Sequence, residues 1–366
     1  MENPFFTALV NGQGLGQEGG IAQLDLRFGG KVLILSDLHM GSGPRDDLAA
    51  NGNLLQEMLK DYYLPGGWIL VLNGDVEELH RYRLQAVRAQ WQKLFDIFDQ
   101  FSNDGRLVKT LGNHDEELAY EKNYPYALYQ AVRIDTAQIP IFIFHGHQSS
   151  KVYTKYNHVL RSLIRYIFTP FGIRNISASR SPYRRFFVEK EAYAFSLAHS
   201  CISVIGHTHR TLFESLGRFD FIKFEIERLC RDYPAARGRD KTRIAAEVAA
   251  LRYDLSKLRR SERRDVLRQS LYGDGLSVPC LFNSGSAINR KGVNALELDG
   301  EAISLVYWFT KGGGKSFVSR GGYKVEKLKN RRRAVLNYDR LDYIRARIEL
   351  LGNTRLGAWD NEPRRQ

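Results

Sequence analysis

The chain has 366 residues, 43% hydrophobic and 12% aromatic, enough to bury the core of one large α/β domain with insertions and too apolar for a disordered protein. Its three cysteines, Cys201, Cys230 and Cys280, are far apart and lack CxxC spacing, which argues against a disulfide framework or a cysteine zinc site and fits a reducing compartment. The net charge of +13 is concentrated: residues 151–200 carry 9 Lys/Arg against 2 Glu and residues 311–366 carry 15 against 6 Asp/Glu, so the remainder is slightly acidic.

Residues 1–30 read as an N-terminal extension without the basic start and apolar run of a secretory leader. No window approaches the ~20 apolar residues of a membrane-spanning helix. A cytoplasmic location is expected, with peripheral contact at the inner membrane as an alternative.

From residue 31, short β-branched apolar runs recur, each ending in a polar or glycine-containing turn: Val32–Leu35, Trp68–Leu72, Leu107–Thr110, Ile141–Phe144 and Ile202–Ile205. Helical patterns such as Asn53–Tyr62 and Leu84–Phe101 lie between the early runs, which predicts an α/β layered fold. Strand-like segments Ser277–Phe282, Asn294–Leu298 and Ala302–Trp308 predict a second sheet region closing the domain. Two insertions interrupt the pattern. Residues 151–200 combine ten aromatics with the basic excess, and Tyr156, Val159, Leu160, Leu163 and Ile167 follow the spacing of one helix face. Residues 213–275 read as a helical hairpin, with Phe221, Phe224, Ile226 and Leu229 partly at helical spacing. The basic tail, 311–366, is expected to hold one amphipathic helix near Leu336–Leu351.

Each early run ends in residues suited to metal chemistry. Ser36-Asp37-Leu38-His39 places Asp37 and His39 at alternate positions, so both can chelate one ion. In Asn73-Gly74-Asp75, glycine allows a tight turn and the Asp carboxylate can bridge two cations ~3.5–4 Å apart. Gly112-Asn113-His114-Asp115 offers a neutral oxygen ligand in Asn113 and a substrate-facing imidazole in His114, which Asp115 can hold in one tautomer. His145-Gly146-His147 and His207-Thr208-His209 can each send imidazoles to two ions. Singly, an Asp-x-His or an Asp at a turn is common, and a lone histidine is more often a surface or core residue. Seven of the nine histidines (39, 80, 114, 145, 147, 207 and 209) nevertheless fall at or just after strand ends. Five such motifs in sequence predict ligands gathered along one edge of a sheet, where α/β folds bind.

In this order, Asp-x-His, Gly-Asp-x-x-Glu, Gly-Asn-His-Asp, His-Gly-His and Gly-His-Thr-His, the chain resembles the calcineurin-like metallophosphoesterase superfamily over about Lys31 to Trp308, apart from the two insertions. The resemblance implies an α/β fold built as a two-sheet β-sandwich flanked by helices, occupying 31–310. It implies one ion on Asp37, His39, Asp75 and His209, a second on Asp75, Asn113, His145 and His207, and His114 as the catalytic imidazole supported by Asp115. The cofactors would be two divalent metal ions; Mn²⁺ is expected, and Fe or Zn²⁺ suits the same donors. Two such ions would acidify a bridging water and clamp phosphoryl oxygens for in-line attack.

Gly74-Asp75-Val76-Glu77-Glu78 and Gly-Asn-His-Asp depart from the Gly-Asp-Tyr/Phe-Val-Asp-Arg-Gly and Gly-Asn-His-Glu of the family's protein phosphatases. They look more like the branch of UDP-2,3-diacylglucosamine pyrophosphatases, where a helical lid between the fourth and fifth motifs covers a lipid substrate. Here that stretch, 148–206, is the aromatic basic insertion. Arg stands in that branch where this chain has His114. A UDP-sugar lipid or nucleotide diphosphate is the expected substrate, and a nucleotide or nucleic-acid phosphodiesterase the alternative. The basic segments would then meet nucleic acid or an anionic membrane surface. A non-catalytic metal-binding adaptor is the reading from another class, and 213–275 offers a surface for a homodimer.

Overall fold

The computed structural model describes residues 3–12, 20–149, 182–209, 211–213, 226, 229–230, 233–234, 236–257, 278–288, 292–313, 318 and 323–352. The chain divides into two units, residues 1–213 with 280–366, and residues 214–279. The first unit begins with helix α1 (Pro4–Asn11), β1 (Ile21–Asp25) and β2 (Val32–Leu35). Helix α2 (Gly52–Met58), β3 (Ile69–Asn73), α3 (Leu84–Gln90), α4 (Gln92–Asn103) and β4 (Leu107–Thr110) follow. Next come β5 (Leu128–Tyr129), β6 (Ala131–Asp135), β7 (Ile141–Phe144), α5 (Pro182–Ala198), β8 (Ile202–Ile205) and β9 (Leu212–Phe213). The second unit contributes α6 (Arg239–Lys257). The first unit resumes with β10 (Leu281–Asn283), β11 (Val293–Leu298), β12 (Ala302–Thr310), β13 (Val325–Leu328), β14 (Arg331–Arg340) and α7 (Leu341–Leu351).

These strands form two mixed sheets flanked by helices, one ordered β1-β6-β7-β8-β10-β9 and the other β13-β14-β12-β11-β2-β3-β4-β5. The apolar runs become parallel neighbours. Strand β2 pairs with β3 and β3 with β4, while β7 pairs with β8. All four residues of β2, of β7 and of β8 are buried, which explains why these segments, Ser203 apart, read as continuous apolar stretches rather than alternating ones. The late strands do not make a sheet of their own. Strand β10 joins β8, whereas β11 and β12 extend the sheet of β2, β3 and β4.

The periodicity of Leu84–Phe101 resolves into two helices that meet at Trp91, whose φ of −109° and ψ of 23° leave the helical region. The indole lies where a Cβ on Gly52 would be, and its Nε1 donates to the Gly41 carbonyl at 3.1 Å. Helix α4 buries Leu94, Phe95, Ile97, Phe98 and Phe101 on one face, in the core cluster that also holds Leu33, Leu70 and Leu72. In the N-terminal extension, Asn3 caps α1 by accepting from the Phe5 N–H at 3.0 Å, with Pro4 opening the helix. Its Phe5 and Phe6 pack edge-on against Phe144, and Phe6 stacks on Phe195 at 4.5 Å.

The basic tail departs most from expectation. Residues 336–340, expected to be helical, belong to β14, which pairs along the whole of β12, and the helix begins at Leu341. Two charges of the Arg331–Arg333 run are answered within the fold: Arg331 pairs with Asp61 at 2.5 Å and Glu57 at 3.3 Å, and Arg333 pairs with Glu297. The helix face Tyr156–Ile167, His158, Phe221 and Phe224 lie outside the described residues. Among the described residues, no helix is long and apolar enough to cross a membrane.

Candidate metal centre

The five motifs meet at one place, but from two sheets rather than one edge. Asp37 and His39 follow β2, Asp75 follows β3, and Asn113 and His114 follow β4 in the eight-stranded sheet. His145 follows β7, and His207 and His209 follow β8 in the six-stranded sheet. The sheets are tied here by Asn73: its Nδ2 donates to the Phe144 carbonyl at 3.2 Å and its own carbonyl faces His145 Nδ1 at 2.9 Å.

The backbone around these side chains is bent in a way the sequence did not reveal. Asp37, His39, Asp75, His207 and His209 all have positive φ, between 44° and 62°. Asp and His tolerate this left-handed region better than most residues, yet each instance costs on the order of 1 kcal/mol and persists only where neighbours enforce it. Here the enforcement is visible. The Asp37 N–H donates to the Gly74 carbonyl, that of His39 to Asp75 and that of Met40 to Val76, at 3.1, 3.0 and 2.8 Å. The His207 N–H donates to both oxygens of Asp37 at 3.1 Å.

Among the described residues the side chains converge into overlapping sets, two of which share Asp75. Ligand atoms of Asp37, His39, Asp75 and His209 lie within 4.8 Å of one another, and so do those of Asp75, His145 and His207. His209 Nε2 is 3.1 Å from Asp37 Oδ1 and 3.0 Å from His39 Nε2. Asp75 Oδ2 faces both sets, 3.9 Å from His39 Nε2 and 3.1 Å from His145 Nε2. Asn113 is also buried, one residue before the His114 N–H that donates to Asp75 Oδ1 at 2.8 Å.

This donor set fits divalent ions. Ligands ~2.0–2.2 Å from one ion stand roughly 3–4 Å from each other, the range seen here. His39 Nδ1 lies 2.9 Å from Glu78 Oε2, which leaves its Nε2 directed toward His209 Nε2 and available to a metal. Electrostatics agree. Burial opposes ionisation of Asp75, but His145 and His114 outweigh it and hold its carboxyl well below the usual range. Burial also opposes protonation of His145, yet Asp75, with Asp37 behind it, pushes that imidazole up to about 9. Burial and the neighbouring His145 charge push His207 down to about 3, leaving a neutral ring ready to ligate.

A pH dependence follows. In the metal-free protein at neutral pH, His145 carries a proton that an ion must displace. Affinity for that ion should therefore rise about tenfold per pH unit from pH 7 toward 9 and level off above. Calorimetry in buffers of different ionisation enthalpy would count the protons released. Metal uptake without proton release at pH 7.5 would contradict the assignment.

The partner of His114 differs from expectation. Its Nδ1 lies 2.8 Å from Glu78 Oε1, and its Nε2 points toward Asp75 Oδ2 at 3.9 Å. Glu78 thereby reaches two imidazoles, and although burial opposes its charge, His114 and His39 hold its carboxyl well below the usual range. Asp115, expected to orient His114, braces the loops instead. Its Oδ1 accepts from the Gly112 N–H at 2.7 Å, and its Oδ2 accepts from the Val76 N–H at 2.8 Å and Lys109 Nζ at 3.1 Å. Lys109 is fully buried and also donates to Glu77 Oε2 at 2.7 Å, while Tyr124 donates to Glu77 Oε1 at 2.6 Å. The sequence signals were present: the Glu of Gly-Asp-x-x-Glu, and a lysine inside an apolar run.

Loop spacing is tight at Gly112, where a Cβ would overlap both the Asp75 side chain and its backbone nitrogen. Gly112→Ala should therefore displace one ligand loop, cost about 1–3 kcal/mol of stability and lower metal content. Plasma emission analysis of the purified variant beside its melting curve would test this; two tightly held ions would refute it.

His80 and His147 are buried nearby. The His80 ring lies 4.4 Å from His114, and that of His147 lies 5.5 Å from His145.

The family model for calcineurin-like phosphoesterases matches residues 30–233. No curated protein matches the chain. Among solved structures, a phosphoesterase, Yfce, from E. coli is similar at 14% identity, covering 75% of this chain and 91% of its own, with a TM-score of 0.32. Vacuolar Protein Sorting 29 from Cryptosporidium parvum is similar at 12% identity, covering 78% of this chain and 94% of its own, also with a TM-score of 0.32.

Proposed function

The chain belongs to the calcineurin-like phosphoesterase family, hydrolases of phosphoric ester bonds, and from that premise we propose that it uses two divalent ions to cut a diphosphate bond in a nucleotide-linked or lipid-linked substrate. One ion would be held by Asp37, His39, Asp75 and His209, the other by Asp75, Asn113, His145 and His207. The observation that carries this is the position of Asp75 Oδ2, which faces His39 on one side and His145 on the other. When bound, two such ions supply a nucleophilic water near neutral pH and neutralise phosphoryl charge.

The protein's own groups do the rest. His114 would present Nε2 to the leaving oxygen while Glu78 fixes Nδ1, so that a proton can be delivered along one direction. Glu78 also holds His39 Nδ1, keeping the opposite nitrogen on the metal side. The buried surroundings exclude bulk water and strengthen each of these contacts.

The substrate class rests on the Gly-Asp-x-x-Glu motif, similar to that of the UDP-2,3-diacylglucosamine pyrophosphatases, and on the basic, aromatic composition of 151–200. That composition also suits stacking on bases, which supports a nucleic-acid phosphodiesterase as the second reading. The deciding experiment loads the protein with Mn²⁺ and offers an acylated UDP-sugar, cyclic nucleotides, single-stranded DNA and bis-p-nitrophenyl phosphate in parallel. Cleavage of the UDP-sugar between its phosphorus atoms supports the proposal. Preference for DNA, weakening steeply with salt, supports the second reading. Two bound ions with no hydrolysis of any phosphoester would instead leave an adaptor that binds metal without turnover.

A further inference from the structure

A lysine with no exposed surface, placed under an ion site, needs an account that neither catalysis nor packing gives. Lys109, in strand β4, and Glu77 and Asp115, in the loops after β3 and β4, are each fully buried. A buried ion cluster is weak support for stability, because desolvating the charges offsets most of their attraction and apolar side chains of like volume usually serve as well. What the trio does instead is join two loops. Glu77 lies two residues beyond Asp75, and Asp115 two residues beyond Asn113. Lys109 Nζ spans them, at 2.7 Å from Glu77 and 3.1 Å from Asp115. Asp115 crosses the same gap by accepting the Val76 N–H while bracing its own loop through the Gly112 N–H, and the His114 N–H also crosses it, donating to Asp75 Oδ1 at 2.8 Å.

We propose that Lys109 is a positioning residue, which sets the separation of the Asp75 loop from the Asn113–His114 loop and so the spacing of the two ions. The proposal rests on the reading that Asp75 and Asn113 are ligands. Outer groups of this kind are typically worth 10–100-fold in metal affinity or turnover.

The test uses the full chain loaded with Mn²⁺. Wild type must first bind two Mn²⁺ ions with a spin-coupled paramagnetic resonance spectrum; if it does not, the two-ion reading fails and Lys109 is not at issue. Lys109→Met alone leaves two buried carboxylates facing each other and is expected to unfold easily. The paired variant Glu77→Gln/Lys109→Met removes one charge of each sign and keeps the Asp115 bonds to Val76 and Gly112. It is expected to melt near wild type, bind its second Mn²⁺ at least tenfold more weakly and show an altered spin-coupled pattern, with kcat falling more than KM rises. Should that pair not fold, Glu77→Asp keeps all charges but withdraws the carboxylate from Lys109, and the same loss of second-ion affinity is expected. Unchanged affinity and spectrum in a folded variant would overturn the proposal. So would failure of both variants to fold, because the trio would then serve the core and not the spacing.

Discussion

Asp75→Asn should leave a folded protein that retains neither ion firmly and has lost at least about 10³-fold in turnover. The two oxygens of Asp75 have separate tasks. Oδ1 accepts the His114 N–H at 2.8 Å, a bond that the Asn carbonyl oxygen can keep, so the loops should stay in register. Oδ2 faces His39, His114 and His145, and in the variant an amide NH₂, which donates and cannot ligate, takes its place. Both ion sets share this atom, so both weaken together. Loss of several kcal/mol of phosphoryl charge stabilisation, at a factor of ten per ~1.4 kcal/mol, gives the expected drop. Metal analysis, a melting curve and a turnover assay on one preparation would check it. Wild-type activity would remove Asp75 from the site, and an unfolded product would call for a different reading of Oδ1.

The motifs were legible because each ligand follows a strand buried on both sides. Val32–Leu35, Ile141–Phe144 and, apart from Ser203, Ile202–Ile205 are apolar, so Asp37, His145 and His207 stand out against them. What escaped notice depends on partners distant in the chain. Arg331–Arg333 looks like a solvated basic run until Asp61 and Glu297 are brought beside it. The left-handed backbone of Asp37 and His39 is imposed by the carbonyls of Gly74 and Asp75, which no local pattern encodes. Adjacency misled at Asp115: a neighbour in sequence need not touch the next imidazole, and Glu78, 36 residues away, does. Lys109 is the converse case, a charge hidden in an apolar strand whose two carboxylate partners come from different loops.

His114→Ala is expected to separate catalysis from metal binding. The ligand loop keeps its position because the N–H that His114 gives to Asp75 is backbone and survives the substitution. Asp115 likewise holds Gly112 and Val76 without help from the imidazole. Two ions should therefore remain, while the group aimed at the leaving oxygen disappears. A positioned general acid contributes about 10²–10⁴-fold, and turnover should fall by that amount with KM little changed. The size of the loss should depend on the leaving group. A p-nitrophenolate or a sugar phosphate departs without needing a proton and should suffer least, whereas an alkoxide should suffer most. Measured on wild type and variant with both kinds of ester, a leaving-group-dependent loss assigns proton donation to His114. Equal losses would assign it to stabilising charge on the phosphoryl group, and undiminished rates with both esters would take it out of the reaction altogether.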